Sequence, residues 1–80
     1  MREARYYSDL KFQQKGGIVL FFLRQVPFDL PGGVKYKVDF QVFYTDGNVE
    51  FIEVKGFKTK DYIMKKKMVE SLYPVKIEER

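Results

Sequence analysis

The tripeptide Thr45-Asp46-Gly47 constrains this chain more than any other feature. It separates two strand-like runs, residues 35 to 44 and 49 to 55, in "VDFQVFYTDGNVEFIEVKG". Side chains alternate along a strand, so the length of the connecting loop decides which residues share a face. A two-residue Asp46-Gly47 loop pairs Thr45 with Asn48 and sends Asp39 to the side of Val54, away from Glu53. A three-residue loop pairs Tyr44 with Asn48 and sets Asp39 opposite Glu53, with Lys55 one pleat away. The three-residue form is a type I turn followed by a left-handed residue, and Gly47 stands where that conformation is required. Turn chemistry therefore permits a hairpin that gathers Asp39, Glu53 and Lys55 on one face.

The rest of the chain divides around this hairpin. Residues 2 to 15 have helical spacing, with Ala4, Tyr6, Tyr7 and Leu10 towards one side and Gly16-Gly17 as a stop. Residues 18 to 30 are strand-rich, with Pro27 marking an edge or irregularity, and Pro31-Gly32-Gly33 is a turn. Thr59 is placed to cap a helix from Lys60 to Leu72 whose apolar residues are Tyr62, Ile63, Val69, Leu72 and Tyr73. Pro74 ends it, and residues 75 to 77 form a short last strand. The expected order is α-β-β-β-α-β in one domain of 80 residues.

Composition removes several kinds of chemistry. The chain has no cysteine and no histidine. Disulfides, thiolate metal sites, the usual zinc ligand and the Ser-His and Cys-His nucleophile systems are excluded. Catalysis would have to run on carboxylates, lysines, tyrosines or a hard metal ion. The longest apolar run, residues 18 to 23, is too short to span a bilayer, and no signal-peptide pattern opens the chain. A soluble, unsecreted protein is expected.

Charge is placed unevenly. The net charge is +4, and from Lys55 to Lys67 six lysines stand against the single acid Asp61. A basic segment beside a carboxylate pair suits a phosphate-backbone partner, and it equally suits a solvated helix face. Two carboxylates facing each other repel unless a cation lies between them. With only oxygen donors at hand, that cation would be Mg2+ or Mn2+, held by Asp39, Glu53 and the backbone carbonyl of Val54. Lys55 on the same face would orient a water or offset charge developing on phosphorus. The same residues also read as an ordinary solvent face with a cross-strand ion pair, so spacing alone leaves both readings open.

The chain resembles a known superfamily at these residues. "VDF", followed fourteen positions after Asp39 by "EVKG", is similar to the PD-(D/E)xK nucleases, whose core has the same α-β-β-β-α-β order. More closely, "REARYYSDL", "RQVPFDL" and "YKVDFQVFYTDGNVEFIEVKGFKTKDYIMKKKMVESLYP" resemble a family of small phage-type endonucleases, Holliday-junction-resolvase-like in character. The resemblance covers Arg2 to Pro74. It implies a minimal restriction-endonuclease-like α/β fold, a mixed sheet flanked by helices. Asp39 matches the metal-binding acid, Glu53 the second acidic ligand and Lys55 the catalytic lysine. Glu3 matches a first-helix acid that assists the metal or a second metal. Val38 stands where the family usually has a proline.

The resemblance implies a divalent-metal-dependent DNA endonuclease, selective for branched or junction DNA in phage replication or recombination. Such a protein would work in the cytoplasm of an infected bacterial host, without a membrane and with a homodimer as one arrangement. Lys58, Lys60, Lys65, Lys66 and Lys67 would then hold phosphates beside the cut bond. Gly56 would let the backbone pass close to DNA, or merely end the strand. Tyr36, Tyr44 and Tyr62 suit stacking on unpaired bases or packing in the core. The competing classes are a non-catalytic nucleic-acid-binding module with a vestigial site and a small phage adaptor.

Overall fold

A computed structural model describes residues 2–54 and 58–80. The elements are α1 (Arg2–Lys15), β1 (Val19–Leu30), β2 (Val34–Tyr44), β3 (Val49–Glu53), α2 (Lys60–Leu72) and β4 (Ile77–Glu79). They follow the expected α-β-β-β-α-β order. The sheet runs β1-β2-β3-β4, antiparallel across the first three strands and parallel between β3 and β4. The last strand is shifted towards the C-terminus from the expected 75 to 77. β3 ends at Glu53, short of residue 55.

Local chemistry accounts for the element ends. At the close of α1, Ile18 N–H reaches the Gln13 carbonyl and Gly17 N–H reaches that of Gln14. This is a Schellman closure, and Gly17 supplies its left-handed residue with φ 81°. At the start of α2, the Thr59 hydroxyl accepts from Tyr62 N–H at 3.1 Å, satisfying one orphan amide of the first turn. In the β2–β3 turn, Gly47 N–H donates to the Tyr44 carbonyl and Tyr44 N–H donates to that of Asn48. Gly47 has φ 94°. The Asp46 carboxylate braces the loop by accepting from Asn48 N–H and Nδ2. The loop is therefore the three-residue form. It sets the β2–β3 register at Phe43↔Val49 through Phe40↔Ile52.

Two clusters make the core. Leu10 of α1 packs with Val19, Phe40, Val42 and Ile52. Tyr62 and Val69 of α2 pack with Leu30, Tyr36, Val38 and Ile77, with Phe51 against them. Ile52 and Phe51 are consecutive in β3 and so point to opposite faces. The two helices therefore lie on opposite faces of the sheet at β3. β2, however, sends Phe40 and Val42 to the α1 cluster and Tyr36 and Val38 to the α2 cluster, although all four share one strand face. The long β1–β2 ribbon must coil between Val38 and Phe40 to serve both. Opposite that point, Gln25 has φ 53°, and the Cα pairing passes from Arg24↔Phe40 to Val26↔Val38 without a Gln25–Asp39 pair. The coil of the ribbon is thus concentrated at Gln25 and Asp39.

Not every apolar residue of the helices is buried. Ala4 is exposed, as are Ile63 (41%) and Leu72 (54%). Each helix is buried only along a narrow apolar stripe, supplied by Leu10 in α1 and by Tyr62 and Val69 in α2. Tyr36 and Tyr62 are core residues. The Tyr44 hydroxyl is spent on Glu50 at 2.6 Å.

Candidate active site

The β2–β3 register extended by one residue places Asp39 opposite Glu53. Backbone pairing stops at Phe40↔Ile52, and beyond it the two carboxylates act as acceptors for main-chain amides. Asp39 N–H donates to Glu53 Oε2 at 3.1 Å, and Val54 N–H donates to Asp39 Oδ2 at 3.0 Å. Each acid thus receives an amide from the other's strand. Glu53 is only 2% exposed, a position that an ionised carboxylate tolerates only when its charge is hydrogen-bonded or paired.

Three further residues close around Asp39. Gln25 Nε2 donates to Asp39 Oδ1 at 3.3 Å from its left-handed position in β1. Glu3 enters from α1, where Arg24 Nη2 lies 3.5 Å from its Oε2. The Arg24 guanidinium stacks 4.7 Å above the Tyr7 ring, which holds it in place. Burial pushes the Glu3 carboxyl above its usual range, and the hydrogen bond and charge of Asp39 add to that, while Arg24 opposes it. The Glu3 and Asp39 carboxyls therefore sense each other directly. Beneath the site, burial pushes the Tyr36 phenol far up, with the negative charge of Glu53 next in effect. Its hydroxyl is buried beside Glu53.

The structure brings together Asp39, Glu53, Val54 and Glu3. Lys55 and Gly56 lie outside the described residues. Among the described residues, no three acidic side chains stand close enough to form a complete metal cage. Gln25 and Arg24 went unmarked as site residues in the sequence, although both fall in the "RQVPF" segment. The neighbouring Pro27 signalled an irregularity there but not its position or its consequence.

The lysines expected to face phosphates are mostly committed within the protein. Lys58 and Lys66 converge on Glu79 at 2.9 and 3.4 Å, and the Tyr62 hydroxyl donates to the same carboxylate at 2.8 Å. Lys65 pairs with Asp61 at 3.1 Å one helical turn away. Hydrogen bonds from Lys58 and then Tyr62 hold the Glu79 carboxyl down at about 2. Lys60 and Lys67 are exposed and have no carboxylate partner among the described residues.

Fold and site together define a small α/β domain whose acidic cluster sits where two antiparallel strands part. The chain matches the model of the family described as Protein of unknown function (DUF1064) over residues 1–78, and it belongs to that family. No curated protein and no solved structure matches it. Among the described residues, no helix is long and apolar enough to cross a membrane.

Proposed function

We propose that this protein is a divalent-metal-dependent DNA endonuclease of the PD-(D/E)xK type, hydrolysing phosphodiester bonds in branched or junction DNA during phage replication or recombination. The observation that carries this reading is the reciprocal amide clamp on Asp39 and Glu53 at the parting of β2 and β3. It holds two acids side by side at the point where the strands part. The donor set suits Mg2+ or Mn2+, because it contains only hard oxygen donors. The lack of a three-acid cage is no obstacle. Mg2+ usually takes one or two carboxylates, keeps several waters and uses substrate phosphates for the rest. Asp39, Glu53 and the Val54 carbonyl would hold the ion, which when bound supplies Lewis-acid polarisation of a phosphoryl oxygen and a more acidic water.

The chain's own residues prepare the reaction. Val54 N–H and Gln25 fix the Asp39 carboxylate, and Asp39 N–H fixes that of Glu53, so neither must reorganise when substrate arrives. Glu3, held by Arg24, stands beside Asp39, where it would assist the metal or a second metal. Lys55, two residues beyond Glu53 in sequence, would offset charge gathering on the phosphorus. Cutting two opposed strands at a branch needs two such sites, which a two-fold dimer supplies.

The test is incubation with linear, single-stranded, nicked and four-way-junction DNA in Mg2+ or Mn2+, with and without excess EDTA. Metal-dependent nicking, strongest on the junction, is expected. Cutting that persists in EDTA overturns the metal mechanism. Failure to cut any of these substrates with Mn2+ overturns the endonuclease.

A further inference from the structure

Of the five lysines expected at phosphates, Lys58 before α2 and Lys65 and Lys66 on it already hold carboxylates, which leaves Lys60 and Lys67. A second cluster of cations lies on the other side of the site. A cavity of about 420 Å3 is lined by Arg2, Arg5, Tyr6, Asp9, Val54 and Arg80. Of its three arginines, Arg2 and Arg5 have no ion pair among the described residues and Arg80 is paired with Glu50 and Glu78, and Asp9 is the one carboxylate in the lining. Val54 is the residue whose amide holds Asp39, so the cavity borders the acidic cluster directly.

The arginines reach this place from two separate elements. Arg2 and Arg5 project from the first turns of α1, exposed and without an ion pair among the described residues. Arg80 follows β4, and its backbone N–H donates to the Glu53 carbonyl at 3.0 Å. Its guanidinium is steadied by Glu50 at 3.3 Å and Glu78 at 3.8 Å. Tyr6, packed at 5.5 Å on Phe40, lines the cavity between them. One arginine is therefore held in place and two are free to close on a ligand. Guanidinium groups bind phosphate oxygens through paired N–H donors, a geometry that ammonium groups lack.

We propose that Arg2, Arg5 and Arg80 form a phosphate-binding pocket beside Val54, which takes the backbone phosphate adjacent to the one at Asp39 and Glu53. This inference rests on the endonuclease reading for its substrate, a DNA strand. It places the strand's path across the ends of β3 and β4 on the α1 side, not along the face of α2. The pocket sets the register of the strand on the acids, since a phosphate seated there fixes which neighbouring bond meets them.

The experiment measures affinity by fluorescence anisotropy for a labelled four-way junction over a range of KCl, in EDTA, so that binding is separated from cutting. Wild type is compared with Arg2→Gln/Arg5→Gln and with Lys60→Gln/Lys67→Gln. Glutamine keeps helix propensity, so both variants should retain the wild-type thermal midpoint and helical circular dichroism. Arg2→Gln/Arg5→Gln should weaken binding and make the slope of log affinity against log salt shallower by about 0.9, the contribution of one phosphate. An unchanged slope and affinity in that variant overturns the pocket, and continued Mn2+-dependent cutting by wild type would leave the endonuclease standing. Loss of slope in Arg2→Gln/Arg5→Gln, with no cutting by wild type, supports the pocket and overturns the endonuclease. Wild type that binds none of the DNA overturns the pocket.

Discussion

The amide of Asp39 donates to Glu53 Oε2 at 3.1 Å, while the amide that follows Glu53 donates back to Asp39 Oδ2 at 3.0 Å. The clamp replaces the next rung of the β2–β3 ladder with two side chains. It ties the chemistry of the site to the pairing of the strands that carry it.

Substituting Asp39 separates these two roles. Asp39→Asn keeps an oxygen for the Val54 amide, so its stability should stay within about 1 kcal/mol of wild type in urea unfolding. Asp39→Ala leaves that partly buried amide without its acceptor and should cost about 1–3 kcal/mol. Both should lose Mn2+-dependent cutting. Lys55→Ala should also lose cutting but still bind Mn2+ in calorimetric titration, because a lysine is not a ligand of a hard cation. Undiminished cutting by Asp39→Asn would remove this residue from the mechanism.

Gly47 controls the register that creates the clamp. A Cβ at this position meets no atom within 4 Å, so any cost of Gly47→Ala is conformational. At φ 94° that cost should be about 1–2 kcal/mol, read from the urea midpoint at constant m-value. A variant as stable as wild type would mean the loop can change its turn type freely.

Gln25 stores backbone strain within a strand. Gln25→Ala and Gln25→Gly both remove the donor to Asp39, but only glycine relieves φ 53°. Gln25→Gly should therefore be the more stable of the two by about 1 kcal/mol. Equal stabilities would show that the ribbon relaxes out of the left-handed conformation once the amide side chain is gone.

Glu79 makes stability depend on acid. Its carboxyl is held near 2 against an ordinary value of 4.5, so the folded state favours the ionised form. The stabilisation is complete above about 4.5 and disappears as pH falls from there through 2. Its size should be on the order of 1 kcal/mol, since the side chains of this network are partly exposed. Glu79→Gln should flatten the dependence of thermal midpoint on pH in that interval. It also releases Lys58 and Lys66, so DNA affinity should rise if the strand touches α2 and stay constant if it follows the arginine pocket.

Most of the hairpin was readable from residue order. Alternation in β2 and β3, together with a glycine at the third loop position, supports a register in which Asp39 faces Glu53. These signals are local: a strand's period and a turn's dihedral need only adjacent residues. The same holds for the Thr59 cap and the Gly16-Gly17 stop. Helical spacing was less informative about burial. The apolar residues of α2 include Ile63 and Leu72 as well as Val69, but which of them are covered depends on the sheet beneath the helix.

The residues that complete the site are distant in sequence and close only in space. Gln25 is one polar residue in an apolar strand until the ribbon must serve two cores, and then it carries the bend and meets Asp39. A run of lysines reads as free charge until β4 brings Glu79 between Lys58 and Lys66. Arg2, Arg5 and Arg80 stand at opposite ends of the chain and share a cavity because α1 and β4 both abut the end of β3. Alternation, capping and turn preference act between neighbours, so the chain order carries them. Bending, charge compensation and the gathering of arginines follow from which surfaces exclude water together, and that depends on the packing of the whole sheet against its helices.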